Sequence, residues 1–124
     1  MNSESITRRV RGVRAQLGNR HCDALVLTKP ANVTYVTGFS GEDSWAVVAG
    51  GAVYLLTDSR YTEQAEKECP QARLVARKGP MTEAAGALVG KLKSARTVAV
   101  EKSVVVYRNN RLGRLDKVTV KINV

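Results

Sequence analysis

The chain has 124 residues and a net charge of +9, with 20 Lys and Arg against 11 Asp and Glu. Its length is that of one domain with its own core, and the 44% of apolar residues excludes an intrinsically disordered chain. No apolar run approaches the roughly 20 residues of a membrane helix and no signal-peptide pattern is found, so we expect a cytoplasmic protein without membrane contact.

The N-terminal segment predicts a helix that ends near Leu17, because its apolar residues recur at the spacing of one helix face. These residues are Ile6, Val10, Val13 and Leu17. The densest positive charge of the chain lies between them, at Arg8, Arg9, Arg11 and Arg14. This division is typical of an amphipathic surface helix. The other basic residues have no aromatic residues interleaved for base stacking, so nucleic acid is not the expected partner.

Three strands are predicted in the next part of the chain, at Ala24–Thr28, Trp45–Ala49 and Ala52–Thr57. The first is a continuous apolar run, as in strands buried on both faces. A turn or short helical segment follows it and extends to Tyr35. Gly50 and Gly51 separate the other two strands, which indicates a tight β-hairpin.

Helices and strands then alternate. Asp58 is placed to cap a helix over Ser59–Glu68, which Pro70 ends. Another helix starts with proline at its first position, at Pro80, and its inward residues repeat the spacing of the first helix. Those residues are Met81, Ala85, Leu88 and Leu92. Further strands are predicted at Arg73–Ala76, Thr97–Glu101 and Val118–Ile122.

The segment Ser103–Leu115 fits two structures. Its three consecutive valines, Val104–Val106, favour a strand, because β-branched side chains are restricted in a helix. A serine cap at Ser103 and the spacing of the later apolar residues suit a helix instead. Since helices alternate with strands except at the one hairpin, the whole pattern predicts a mixed sheet covered by helices on both faces.

Candidate contact residues gather around the Gly- and Ser-rich loop at 37–44. Three of the six aromatic residues, Tyr35, Phe39 and Trp45, lie within eleven positions there. Loops on a rigid scaffold often carry binding residues, and aromatic side chains supply large contact areas. Tyr35 and Phe39 fit two roles, a contact surface or a plug at the end of the sheet.

Asp58 and Arg60 form a second dense polar stretch. A carboxylate at the end of a strand and directly before a helix has two readings, a catalytic acid or a helix cap. The cap is favoured, because such an Asp commonly accepts hydrogen bonds from the first N–H groups of the helix. Arg60 is the expected ion-pair partner.

Two sequence blocks resemble a known family. They are PANVTYVTGFSG at 30–41 and LLTDSRYTEQA at 55–65. Together with the preceding strand, they have the order and spacing of the N-terminal domain of the creatinase/prolidase/aminopeptidase P family of Xaa-Pro metallopeptidases. The resemblance implies a single domain over 1–124 with a ribonuclease H-like, three-layer α/β/α fold and a mixed sheet. It also favours a helix for Ser103–Leu115.

The resemblance further implies that the catalytic half lies elsewhere. Full-length members use a C-terminal pita-bread domain, in which two Asp, one His and two Glu hold a dinuclear divalent metal site of Mn, Co or Zn. We therefore expect no catalytic residue, no metal ligand and no hydrolysis from this chain alone. The expected partner is a pita-bread domain of the same or a neighbouring subunit, in a homodimeric parent.

Carried over residue by residue, the resemblance assigns substrate gating to Phe39 and Ser40 of the GFSG loop and to Trp45. Glu42 and Asp43 lie where creatinase-type members use a charged contact. Acidic residues there suit a substrate α-amino group, which favours a Xaa-Pro peptidase parent. The first hypothesis is an accessory domain that contributes oligomer contacts and a substrate-gating loop. The alternative is a stand-alone basic module for a polyanion or nucleic acid.

Overall fold

The computed structural model describes residues 3–92 and 96–100, together with the backbone of two strands at 105–109 and 115–119. The helices are α1 (Ser3–Asn19), α2 (Pro30–Thr37), α3 (Thr62–Glu68) and α4 (Met81–Lys91). The strands are β1 (Ala24–Leu27), β2 (Ser44–Ala49), β3 (Val53–Thr57), β4 (Arg73–Ala76), β5 (Thr97–Val100), β6 (Val105–Asn109) and β7 (Leu115–Thr119). A 3-10 turn, Ser59–Tyr61, precedes α3. None of the described helices combines the length and the hydropathy needed to cross a membrane.

The strands form one seven-stranded sheet in the order β4-β3-β2-β1-β5-β6-β7. Central β1 pairs antiparallel with β2 and parallel with β5. The β3–β4 pair is parallel, and the β2–β3, β5–β6 and β6–β7 pairs are antiparallel. The predicted mixed sheet is therefore confirmed.

Helices α1, α2 and α3 contribute buried residues to one face of this sheet, which we call the α1 face. All four apolar residues predicted for the inner side of α1 are buried. They join Val33 and Val36 of α2 and Ala65 of α3 against the strands. The strand residues of this core include Leu25, Leu27, Ala46, Val48 and Leu55. Each fully buried Leu or Val contributes about 1.5–3 kcal/mol relative to an exposed position.

Helix α4 covers the opposite face, which we call the α4 face. Its Ala85 and Val89 are buried against the alternate residues of the strands, because successive side chains of a strand point to opposite faces. Those strand residues are Ala24, Val26, Val47, Leu56 and Val98. Helices on both faces confirm the predicted three-layer α/β/α arrangement.

The helix favoured for Ser103–Leu115 is wrong, because the backbone there forms β6 over Val105–Asn109 and starts β7 at Leu115. β6 pairs with β5 from Thr97↔Arg108 to Val100↔Val105. The run of β-branched valines suits an extended backbone, and the pairing satisfies the N–H and C=O groups on the outer edge of β5. The final strand is found three residues earlier than Val118, and the rest of that prediction, beyond Thr119, lies outside the described residues.

Candidate functional site

The site begins with the loop at 38–43, which joins the end of α2 to the start of β2. Gly38 ends α2 with φ +84° and donates its N–H to the carbonyl of Thr34 at 2.8 Å. The hydroxyl of Thr34 in turn donates to the carbonyl of Phe39 at 2.6 Å. The Phe39 N–H is held by the hydroxyl of Thr37 at 3.0 Å. Local hydrogen bonds from two threonines of α2 therefore fix the direction in which the loop leaves the helix.

Phe39 anchors the loop in the core of the α1 face. Its side chain is fully buried, and its ring meets that of Tyr61 edge to face, with 6.4 Å between ring centroids and 72° between planes. Gly41 lies directly on the ring, since a Cβ there would be 2.3 Å from Phe39 Cζ. Of the two roles the sequence leaves open for Phe39, the structure places it in the plug position.

Ser40 is exposed and is clamped to α3. Its N–H and its hydroxyl both donate to Oε1 of Glu68, at 2.9 and 2.5 Å. The amide of Gln64 reaches the Ser40 hydroxyl at 3.4 Å. The hydroxyl hydrogen bond is the main cause that lowers the pKa of Glu68 below its ordinary value.

Sequence reasoning missed the clamp residues Glu68 and Gln64. They are 28 and 24 positions from Ser40, and nothing in their own segment separates them from the other polar residues of α3. Their spacing of i and i+4 does put them on one helix side. That signal identifies a helix face but not what the face contacts.

Glu42 and Asp43 form the exposed tip of the loop. Asp43 has φ +50°, in the left-handed region that Asp tolerates better than most residues. Its Oδ2 lies 3.8 Å from Nη2 of Arg60, and both side chains are well exposed. Surface pairs of this kind contribute at most about 1 kcal/mol. The tip therefore presents negative charge that is held only weakly.

Asp58 organises the polar residues behind the tip. Its Oδ1 accepts the backbone N–H of Arg60 at 2.9 Å, as the cap of the 3-10 turn, and the Arg60 Nε–H at 3.0 Å. Its Oδ2 lies 3.5 Å from Nη2 of Arg77. These hydrogen bonds, first of all that from the Arg60 backbone, lower the pKa of Asp58. Arg60 thus links the cap to the loop tip through Asp43.

Trp45 lies on the other side of the sheet. It pairs with Leu56 in the β2–β3 register and packs among the residues of the α4 face. There it lines an open cleft of about 360 Å³ with Val26, Val98 and residues of α4. Because side chains alternate along β2, the sheet separates Trp45 from Phe39 and Ser40. The structure thus places Ser40 and Asp43 in the loop at 38–43 with Arg60 beside it, and it places Trp45 on the opposite face of the sheet.

The exposed side chains of this region are suited to hydrogen bonds and ion pairs with a ligand. Within residues 3–92 and 96–100, no group of three His, Cys, Asp or Glu side chains is arranged to hold a metal ion. Both thiols are buried, and burial raises the pKa of Cys69 to about 11 and that of Cys22 above its usual range. The exposed groups at the loop are carboxylates, a hydroxyl and a guanidinium, which are groups that can form hydrogen bonds and ion pairs with a ligand.

A family model for the creatinase/prolidase N-terminal domain matches residues 9–120. This chain belongs to that family. The resemblance carried by the two sequence blocks is therefore confirmed.

Individual relatives agree with this assignment. The peptidase YqhT of Bacillus subtilis is 41% identical over 58 residues, which cover 47% of this chain and 16% of YqhT. The Xaa-Pro dipeptidase of Bacillus anthracis has the same fold at 21% identity, with a TM-score of 0.72 over 77% of this chain and 27% of its own. An Xaa-Pro aminopeptidase structure from Streptococcus pyogenes superposes with a TM-score of 0.70 at 25% identity, over 83% of this chain and 78% of that one.

The fraction of each relative that the match covers shows which part of these peptidases the chain corresponds to. The N-terminal domain of the cytoplasmic peptidase PepQ from Mycobacterium tuberculosis matches with a TM-score of 0.67 at 24% identity, over 76% of this chain and 72% of that one. By contrast, the match spans only about a sixth of YqhT and about a quarter of the Bacillus anthracis dipeptidase. This chain corresponds to the N-terminal domain of such peptidases.

Proposed function

We propose that this chain is the non-catalytic N-terminal domain of an Xaa-Pro peptidase-like metallohydrolase, and that its loop at 38–43 gates substrate. The observation that carries the proposal is the way the loop is held. Phe39 is buried at its base, Ser40 is clamped by Glu68, and the acidic tip remains exposed. Because the base of the loop is already ordered, presenting the acidic tip to a substrate costs less conformational entropy on binding.

The acidic tip suits the free α-amino group of a peptide substrate. Glu42 and Asp43 are exposed, and among the described residues the ion-pair partner of Asp43 is Arg60 at 3.8 Å. A substrate ammonium group can replace that weak pair without leaving a buried charge unpaired. In this proposal Arg60, held by Asp58, is the resting partner of Asp43 until a substrate ammonium group takes its place.

The catalytic chemistry belongs to a pita-bread domain of the same or a neighbouring subunit. There, two divalent ions of Mn, Co or Zn would activate a water molecule and polarise the scissile carbonyl. The present domain would add contacts within a homodimer and the gating loop. We assign Trp45 a separate role, as a contact residue on the α4 face, because the sheet lies between it and the loop. We also propose a cytoplasmic location, which the name of the Mycobacterium tuberculosis neighbour supports.

The first test uses the purified chain with Mn²⁺ and an Xaa-Pro dipeptide. We expect no hydrolysis above the buffer rate, and turnover that copurifies with the chain would overturn the non-catalytic assignment.

The second test replaces the N-terminal domain of the Bacillus anthracis dipeptidase with this chain. In the active chimera, the double variant Glu42→Gln/Asp43→Asn should raise KM several-fold while the bound metal and kcat change little. Glu66→Gln, an exposed acid on α3, is the matched control. If the tip variant and the control have the same KM, the tip does not gate substrate.

A further inference from the structure

Tyr35 lies against the arginine-rich side of α1. The guanidinium of Arg9 is 4.8 Å from the centre of the Tyr35 ring, and its Nη1 reaches the Tyr35 carbonyl at 3.5 Å. The two residues are 26 positions apart, so only the packing of α2 on α1 brings them together. Tyr35 nevertheless keeps 44% of its surface exposed, while Tyr54 and Tyr61 are partly buried. An aromatic ring is thus interleaved with basic residues on the surface.

A shallow groove of about 230 Å³ runs beside this ring. It is lined by Arg8, Arg9, Gly12, Val13, Gln16 and Tyr35. Gly12 leaves space in the groove, since no atom lies within 4 Å of the place where its Cβ would be. The groove therefore combines guanidinium groups, one amide and one aromatic ring beside the open space at Gly12.

The charge of this surface is strongly one-sided. Residues 3–20 contain five arginines and a single acid, Glu4. Arg14 is engaged with the protein, because its Nε–H donates to the carbonyl of Ala49 at 2.8 Å. In the part of the chain that the structure describes, no ion pair joins Arg8 or Arg11 to a carboxylate. Their charge is available to an external anion.

We propose that this surface, formed by the groove residues Arg8, Arg9, Gln16 and Tyr35 together with Arg11 one helical turn after Arg8, binds single-stranded nucleic acid. Guanidinium groups pair with backbone phosphates, and an unstacked base packs on the exposed part of the Tyr35 ring. Arg9 holds the ring in position, and the Gln16 amide can donate to and accept from a base edge. An acidic protein would satisfy the arginines but would make no use of the exposed ring or the open space at Gly12. A duplex would offer no free base face.

The binding test is fluorescence anisotropy with a labelled twelve-nucleotide oligo(U) or oligo(dT) and the intact chain. We expect binding in the micromolar range at 50 mM NaCl. With about three phosphate contacts, the slope of log K against log salt should be about −2, so affinity falls roughly 20-fold between 50 and 200 mM NaCl. No binding at 50 mM NaCl would overturn the proposal.

Two variants separate base stacking from charge. Tyr35→Ala should weaken oligonucleotide binding about 5- to 10-fold and leave binding of an abasic oligomer of equal length unchanged. Arg8→Gln should weaken both probes and reduce the salt slope by about 0.7. Lys67→Gln, on α3, is the matched charge control and should alter neither.

The remaining outcomes are equally decisive. If Tyr35→Ala binds the oligonucleotide as tightly as the unmodified chain, the base does not stack there and the proposal fails. Tighter binding of a poly-glutamate peptide than of oligo(U) would replace nucleic acid by an acidic protein partner. Circular dichroism spectra and unfolding midpoints of each variant check that its fold is intact.

Discussion

Replacing Gly41 with alanine tests whether the buried ring of Phe39 positions the loop between α2 and β2. A Cβ at Gly41 would lie 2.3 Å from Cζ, 2.6 Å from Cε2 and 3.1 Å from Cε1 of that ring. The ring cannot swing away, because it is fully buried and packed on Tyr61. Forcing an extra methyl group into such a site typically costs 1–3 kcal/mol. We expect Gly41→Ala to lower the free energy of unfolding by about 2 kcal/mol, or Tm by roughly 6–10 °C.

The assay is urea unfolding followed by circular dichroism, with a double-mutant cycle. Phe39→Leu removes the distal ring atoms that the methyl group would meet, so in that background Gly41→Ala should cost less than about 0.5 kcal/mol. The two sites then show a coupling energy of at least about 1 kcal/mol. Gly50→Ala is the matched control, because no atom lies within 4 Å of its Cβ position.

One result would refute this reasoning. If Gly41→Ala costs the same with phenylalanine and with leucine at position 39, the loss comes from the backbone of the loop and not from the ring. Gly41 has no positive φ, so such a result would also remove the simplest explanation for glycine at this position.

Three further predictions concern the clamp, the thiols and α4. The pKa of Glu68 lies below its ordinary value of 4.5, so its hydrogen bonds to Ser40 stabilise the fold above that pH, and this stabilisation is lost as the pH falls through the lowered pKa. Ser40→Ala should raise the pKa of Glu68 in an NMR titration, and an unchanged pKa would contradict the clamp. Since burial raises the pKa of Cys69 to about 11, DTNB at pH 8 should label Cys69 only after unfolding in guanidinium, and rapid labelling of the folded chain would show an accessible thiolate. Gly86→Ala should raise the free energy of unfolding by about 0.5–1 kcal/mol, because alanine is the better helix former and the Cβ position in α4 is open. A lower free energy of unfolding in urea would show that the methyl group is obstructed.

The sequence predicted the elements best where one local pattern was unambiguous. The four apolar residues of α1 are buried as their spacing required. The predicted strands at 24–28, 45–49 and 52–57 are found within one residue at every end, with the two glycines between the second and third. Each of these signals depends on residues within a few positions of one another.

Prediction failed where two local signals competed. In Ser103–Leu115 a cap and an apolar spacing suited a helix, while consecutive valines suited a strand. Pairing with β5 decides for the strand at Val105–Asn109. That pairing depends on which strand has an open edge, which is a property of the whole sheet.

The candidate site shows the same limit. The sequence grouped Phe39, Ser40 and Trp45 because they are close along the chain. The alternation of β2 sends Trp45 to the α4 face, whereas Phe39 packs in the core of the α1 face. Position along a chain therefore indicated the right segment without indicating which residues share a surface.

By itself, the sequence determined the family, the order of elements through β5 and the acidic loop tip, because these depend on local patterns and on two blocks of residue types in a set order and spacing. Only the tertiary structure decided that Glu68 clamps Ser40 and that Tyr35 lies on Arg9. Those contacts join residues 28 and 26 positions apart. They exist because helices packed on one sheet face bring distant surfaces together, and no local spacing records which helices will be neighbours.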